Sequence, residues 1–161
     1  MTGKGYQVYR SGFVQRYAQN PDMAWTCQTV GHHQWGMAML LFHLFPDDVT
    51  LPLIWEALHH DTGEMGAAEV SGPAKRRYPA LAAAVADAER EERIEMEVAE
   101  AYLEEGEATR LAFCDSLEAY LFARVRTPWV LDRADWIEMK GRLLTQAAAL
   151  GVTAKVRGLV G

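Results

Sequence analysis

Histidine and aspartate residues are the side chains in this sequence whose types and spacing could do chemistry. Four of the five histidines form two adjacent pairs, and the second pair runs directly into Asp61. Asp115 lies in an otherwise apolar segment, where a carboxylate is costly to bury unless it is paired or binds a metal. The candidate ligands are His33, His60, Asp61 and Asp115. Two imidazoles and two carboxylates suit Zn, Fe, Mn or Co better than Ca or a metal that prefers thiolates.

Each of these residues also has an interpretation that needs no metal. A histidine near a helix start is often a satisfied polar residue or a cap, and a His-Asp dipeptide occurs by chance. Asp115 could be a buried partner for Arg124 or Arg126. The combination favours a metal centre, because three separate segments each place a ligand type beside apolar residues.

The elements that must position these side chains are predicted to be helices, since apolar residues recur at spacings of three and four and strand-type alternation is nearly absent. The predicted helices span about 34–45, 50–60, 79–104, 107–125 and 132–150, with a loop over 62–78. Thr50 is the predicted N-cap of the second helix, with Pro52 in its first turn. Asp132 is predicted to cap the last helix, and Gly151 to end it.

Length, charge and cysteine content limit the classes of protein that fit. The chain has 161 residues, which predicts one domain. Its net charge of −6 argues against coating a nucleic acid polymer or a membrane surface, because both need a basic field. Two cysteines far apart exclude a disulfide scaffold, and the longest apolar stretch, about 36–44, is too short to span a bilayer. No secretion signal is visible, so a cytoplasmic protein is expected.

Four segments match a set of known motifs. They are 28–38 (QTVGHHQWGMA), 57–64 (ALHHDTGE), 71–75 (SGPAK) and 114–121 (CDSLEAYL). They are similar to T-V-x-E-H-S-x-x-V-A, A-x-x-H-D-x-x-E, T-G-D-x-P-x-P-x-K and A-D-x-L-x-A-Y-L. Over about 10–125, the chain therefore resembles the HD-domain metal-dependent phosphohydrolase superfamily. It most resembles the bacterial 5′-deoxynucleotidase branch and its small bacteriophage relatives, which include dATP triphosphohydrolases. His32 stands where that branch usually has Glu.

The resemblance implies a fold and a metal. The fold is an all-α helical bundle of the HD-domain type, a single domain over 1–161 with a core of about 10–125 and an extra C-terminal helix. One divalent transition metal (Zn, Co, Mn or Fe) would be held by His33, His60, Asp61 and Asp115, and a second Mg or Mn could enter with the substrate phosphates. Glu64, beside the metal with Asp61, is the implied catalytic carboxylate that positions or activates the attacking water.

The resemblance also implies substrate contacts. Arg16 and Lys75 would neutralise phosphate oxygens, and Tyr17 would pack against the sugar or base. Glu69 stands near the acid that contacts the sugar in the branch, but no Gly precedes it, so the side chain either contacts the sugar or faces solvent. Trp25 is the alternative to Tyr17 as the aromatic residue at the base.

The expected reaction is metal-dependent hydrolysis of a deoxynucleoside 5′-monophosphate to a deoxynucleoside and phosphate. The alternative within the family is a phage-type dNTP triphosphohydrolase, and the alternative of another class is a non-catalytic metal- or nucleotide-binding module. The acidic segment 89–95 resembles the metal helix of all-α NTP pyrophosphohydrolases, but Arg90 and Arg93 favour a solvated, ion-paired face. A homo-oligomer, dimer or hexamer, is expected in the cytoplasm of a bacterium or a phage-infected cell.

Overall fold

Helices make up the regular structure of this chain. The computed structural model describes residues 3–67 and 69–161. The helices are α1 (Lys4–Ser11), α2 (Val30–Leu44), α3 (Leu51–His59), α4 (Glu64–Ala67), α5 (Gly72–Arg77), α6 (Pro79–Glu95), α7 (Glu105–Arg126), α8 (Ala134–Ala149) and α9 (Thr153–Val160), with 3-10 turns at Ala24–Thr26 and Pro128–Asp132. Strands are absent from the described ranges, where one isolated antiparallel bridge joins Gln15 to Thr29. The predicted all-α class is confirmed.

Helix α2 begins four residues earlier than predicted. The Thr29 hydroxyl accepts a hydrogen bond from the His32 N–H at 3.2 Å, and the Thr29 carbonyl accepts one from the His33 N–H at 3.0 Å. Thr29 therefore satisfies donors that the first turn of a helix leaves open. As a result, His33 lies inside the first turn of a helix and not in a preceding loop.

Two predicted helix boundaries are confirmed by their local hydrogen bonds. The Thr50 hydroxyl accepts from the Leu53 N–H at 3.2 Å, which caps α3 as predicted. Gly151, with φ of +72°, ends α8, and the Val152 N–H returns to the Ala147 carbonyl at 2.9 Å. Asp132 is not the cap of α8, because that helix begins after Arg133.

The loop predicted over 62–78 is wrong, since α4 and α5 lie within it. The Ser71 hydroxyl accepts from the Ala74 N–H, and Pro73 lies in the first turn of α5. Proline is tolerated at that position because its missing N–H would have no partner there. The Gly-Pro pair thus begins a helix inside the segment that was predicted to be a loop.

Helix α6 ends at Glu95, nine residues before the predicted end. Glu97 has a φ of 60°, and the Val98 N–H donates to the Arg93 carbonyl at 2.9 Å, which is the hydrogen bond of a left-handed helix end. Glycine normally marks such an end, and a glutamate gives no such indication in the sequence. Gly106, which falls between the two helices predicted over 79–104 and 107–125, lies in the first turn of α7.

The chain divides into two compact units. One contains Leu58–Ala101 together with the chain up to Gln34, and the other contains Trp35–Ala57 and Tyr102–Gly161. Helix α8 corresponds to the extra C-terminal helix predicted over 132–150. Helix α9, which follows it, was not predicted. No helix in the described ranges has both the length and the apolar character that crossing a membrane requires.

The second unit has a continuous apolar core. Side chains from α2, α3, α7, α8 and α9 meet in it, and the largest that are fully buried are Met37, Leu41, Leu53, Phe113, Leu117, Leu143 and Val156. Arg110 covers one edge, where its guanidinium lies 5.6 Å from the Phe45 ring centre and 3.2 Å from the Asp48 carboxylate. Asp115 is half-buried on α7, between two residues of this core.

In the first unit, α4 packs against α6 at a distance that only glycine allows. A Cβ added to Gly63 would lie 2.2 Å from the Glu89 carbonyl oxygen, which is backbone and cannot rotate away. A Cβ added to Gly66 would meet the Glu92 carboxylate, which is the end of a flexible side chain. Gly63 therefore sets the approach of Asp61 and Glu64 to α6.

Replacing Gly63 with alanine is expected to destabilise the protein by about 1–3 kcal/mol, the usual cost of overpacking. The Gly66→Ala control should cost less, because the Glu92 side chain can move. Urea unfolding monitored by circular dichroism measures both. Equal losses of stability in the two variants would show that the backbone of α6 moves away from residue 63, which would contradict a close approach that only glycine allows.

Candidate metal centre

Asp61 lies between two histidines of the first unit. His33, in the first turn of α2, is fully buried, and His60, directly after α3, is half-buried. The Nε2 atom of His33 lies 3.5 Å from one Asp61 carboxylate oxygen, and Nε2 of His60 lies 3.2 Å from the other. The two imidazole rings are 5.6 Å apart and inclined at 56°. The two histidines and Asp61 predicted as ligands in this unit are therefore brought together.

These distances fit side chains that share one ion. Two ligand atoms at about 2.1 Å from a tetrahedral metal are roughly 3.4 Å apart, close to the two nitrogen–oxygen separations around Asp61. Each histidine also offers a nitrogen within 4.8 Å of one on the other. The His33 ring is buried, so its ligand nitrogen is held by packing as well as by the Asp61 carboxylate. The two histidines could thus share a divalent cation, and Asp61 contacts each of them through a different carboxylate oxygen.

Asp115 is the predicted ligand that belongs to the second unit. Burial, with a smaller contribution from the Asp115 charge, raises the pKa of the neighbouring Cys114 thiol to about 12, so Cys114 is a protonated core residue and not a thiolate ligand. Of the two arginines considered as partners for Asp115, Arg124 donates to the Leu159 carbonyl. The assignment of Asp115 to the metal stays a prediction.

Glu64 is buried at the start of α4, three residues after Asp61. Its Oε2 atom has no hydrogen-bond partner among the residues that the structure describes. Burial and then the negative charge of Asp61 raise the pKa of Glu64 to about 8, whereas the Arg16 charge lowers it. A buried carboxylate oxygen without a partner is costly. A cation or a water molecule bound beside Glu64 would supply the missing partner and offset this cost.

The raised pKa of Glu64 predicts how the stability of the metal-free protein depends on pH. Its folded pKa of about 8 lies above its ordinary value of 4.5, so the unfolded chain releases this proton first. Stability should therefore fall as pH rises from about 4.5 to 8. Glu64→Gln removes this titration. In urea unfolding of the chelator-treated proteins, we expect the advantage of Glu64→Gln over the wild type to grow between pH 5 and pH 8. A difference in the free energy of unfolding between the two proteins that does not vary with pH would contradict the raised pKa of Glu64.

Glu69 is partly withdrawn from solvent by a contact with Tyr17, whereas one of its two predicted alternatives was to face solvent. Its side chain is half-buried, and Oε2 accepts a hydrogen bond from the Tyr17 backbone N–H at 2.6 Å. Burial raises the pKa of Glu69, and the Arg16 charge and this hydrogen bond act against the rise. The Arg16 guanidinium in turn lies 5.4 Å from the Tyr17 ring centre. Arg16, Tyr17 and Glu69 therefore form one group of contacting residues, and their role as substrate-binding residues stays a prediction.

Lys75 and Trp25 are the other two predicted substrate contacts, and each has a local partner of its own; the Lys75 charge also acts against the rise in the pKa of Glu69. The Lys75 ammonium nitrogen is 3.3 Å from a carboxylate oxygen of Glu89 on α6. Trp25 is 54% exposed, and its indole N–H donates to the Asp22 carbonyl at 2.9 Å. Nothing in these contacts distinguishes Trp25 from Tyr17 as the residue at a base.

Glu89 is the residue near the site that the sequence analysis missed. It was assigned to a solvated, ion-paired face of the helix, but its side chain is 18% exposed and its charge helps to raise the pKa of Glu64. The prediction of an ion-paired face holds for Arg90, which lies 3.7 Å from Asp87, whereas the prediction of a solvated face is wrong for Arg93, which is buried. Glycine at position 63 explains the burial of Glu89, because it admits α4 against this part of α6.

A cavity of about 510 Å³ adjoins the histidine site. Its wall includes His60 and Glu89, and the rest comes from the end of α6 and the segment that follows. This volume lies within the range of small-molecule sites, roughly 300–1,000 Å³. The first unit therefore places an open cavity directly beside one of the candidate metal ligands.

Comparison of the chain with protein-family models, with curated proteins and with solved structures finds no match in any of the three.

Proposed function

We propose that this protein is a metal-dependent phosphohydrolase that acts on deoxynucleotides at the 5′-phosphate. The observation that carries the proposal is the position of Asp61 between His33 and His60, with the buried Glu64 three residues further along the chain. Asp115 is the fourth ligand that the resemblance to HD-domain phosphohydrolases implies. The donor set of nitrogen and oxygen atoms is one that Zn, Co, Mn or Fe accepts.

The reaction that these residues would support is attack of water on phosphorus. When bound, the divalent metal would lower the pKa of water and offset the charge of the phosphoryl group. The water oxygen forms a bond to phosphorus, the bond from phosphorus to the 5′-oxygen breaks, and that oxygen leaves as a hydroxyl after taking up a proton. Glu64 accepts the proton of the attacking water and passes it to the departing 5′-oxygen, a role that a carboxylate three residues from a ligand can perform.

Cationic side chains supply the second part of the proposal. Arg16 is half-buried and close enough to influence the ionisation of both Glu64 and Glu69. Lys75 lies 3.3 Å from Glu89 and would exchange this ion pair for a phosphate oxygen when substrate binds. The cavity beside His60 has room for the rest of a nucleotide.

Product analysis tests the reaction and separates its alternatives. The protein loaded with Mn, Co or Zn is incubated with each dNMP and each dNTP, and orthophosphate, pyrophosphate and triphosphate are measured. We expect orthophosphate and a deoxynucleoside from monophosphates. Triphosphate from dNTPs alone would favour the phage-type triphosphohydrolase. Binding of metal and nucleotide without any product would favour the non-catalytic module.

Self-association is part of the proposal. Helix α2 exposes Trp35, Met39 and Phe42, each more than half accessible, at the spacing of a single helix face. Apolar side chains grouped in this way commonly mark a protein interface. Light scattering on the purified protein distinguishes a monomer from the proposed dimer or hexamer.

A further inference from the structure

Tyr17 has a backbone conformation that its side chain disfavours. Its φ is 60°, in the left-handed region, and the other non-glycine residues with positive φ in the described ranges are Cys27 and Glu97. A bulky residue in that region carries a steric cost that surrounding contacts must offset. Such positions tend to cluster where function requires a fixed geometry.

The contact that offsets this cost comes from far along the chain. The Tyr17 N–H donates to the Glu69 carboxylate at 2.6 Å, across 52 positions of sequence. A hydrogen bond from a backbone N–H to an ionised carboxylate is stronger than one between neutral groups. Because Glu69 is half-buried, water competes little for the same donor.

The residue before Tyr17 is fixed independently. The Arg16 N–H donates to the Gln28 carbonyl at 2.8 Å, beside the bridge that joins Gln15 to Thr29. Its guanidinium lies 5.4 Å from the Tyr17 ring centre. The backbone on one side of Arg16 is thus held by Gln28, and on the other side by Glu69.

We propose that Glu69 is a positioning residue, whose carboxylate holds Tyr17 in the left-handed conformation and thereby orients Arg16 and Tyr17 as one unit. In the family that the chain resembles, the acid near this place is a sugar contact; the hydrogen bond to Tyr17 gives the glutamate of this chain a different role. The consequence for turnover rests on the proposed function, whereas the consequence for the backbone does not.

Thermal unfolding and backbone NMR test the positioning role without any activity. Glu69→Ala should lower Tm by at least about 2–4 °C, since a charge-assisted hydrogen bond is lost in a chain of this size. It should also move the Cα resonance of residue 17 out of the range of a left-handed backbone, whereas in a Tyr17→Gly background that resonance should stay there, because glycine adopts positive φ without help. Glu69→Gln should retain most of the wild-type Tm, since its amide oxygen can still accept from Tyr17.

Glu97→Gly is the matched control, because Glu97 has the same φ of 60° and lies at the end of α6. Its effect on Tm should add to that of Glu69→Ala without coupling. A Cα resonance of Tyr17 that stays in the range of a left-handed backbone in Glu69→Ala would overturn the proposal, as would no loss of Tm.

Turnover provides the second readout. Glu69→Ala should raise KM for a deoxynucleoside monophosphate at least about tenfold through disordered Arg16 and Tyr17, and by the same factor for the ribonucleotide. A rise in KM confined to the deoxynucleotide would instead make Glu69 a sugar contact and overturn the positioning role. If the wild type has no turnover, the proposed function fails while the Tm and NMR measurements still decide the inference.

Discussion

Glu64→Gln should abolish phosphate release and leave the metal bound. The substitution keeps the shape of the side chain and removes its ability to accept a proton from water, so kcat should fall by about 10²–10⁴-fold. Because His33, His60 and Asp61 are unchanged, metal content measured by mass spectrometry should equal that of the wild type. The same variant should have a higher free energy of unfolding when free of metal, since burial raises the pKa of Glu64 to about 8.

The control for this prediction is Glu91→Gln, on the exposed side of α6. It removes the same charge from the chain without changing a group near His60, and its kcat should stay within a factor of about two of the wild type. Full activity of Glu64→Gln would remove Glu64 from the mechanism. Loss of both activity and metal would make Glu64 a ligand instead.

Replacing either candidate histidine ligand with alanine should remove the metal. Loss of a residue that only supports a ligand commonly costs 10–100-fold in metal affinity, so loss of His33 or His60 itself should cost at least about 100-fold. Turnover at limiting metal should fall in parallel. Titration of chelator-treated protein with a fluorescent competitor for Zn measures the affinity.

The sequence offers matched controls, because each of the two candidate histidine ligands has a second histidine beside it. His32→Ala and His59→Ala change the same residue type at the same helix ends, with His32 exposed in α2 and His59 in the last turn of α3. Both should keep metal affinity within about threefold of the wild type. Equal losses from a ligand and its neighbour would contradict the assignment of one histidine from each pair.

Boundaries with a local cause were predictable from the sequence. Thr50 and Gly151 act through hydrogen bonds within a few residues, so their types alone indicated where α3 begins and α8 ends. The end of α6 was not predictable, because Glu97 adopts a conformation that normally selects glycine. The helices within 62–78 were missed because Pro73 fits a first turn as well as it fits a loop.

Contacts within the candidate site likewise divide into those with a local cause in the sequence and those that depend on the packing of separate segments. The proximity of His60 to Asp61 follows from adjacency in the chain, and the contact of His33 with Asp61 was expected from the resemblance. The contacts of Glu69 with Tyr17 and of Lys75 with Glu89 depend on how separate segments pack. No spacing in the sequence carries that information.

Activity as a function of added metal tests whether the proposed hydrolysis depends on a bound ion. Chelator-treated protein is titrated with Mn²⁺ or Co²⁺ in the presence of a deoxynucleoside monophosphate, and orthophosphate is measured. We expect no release without metal and a rate that rises with added metal to a plateau. Release that persists in excess chelator, or no release from any deoxynucleotide by the metal-loaded protein, would contradict it.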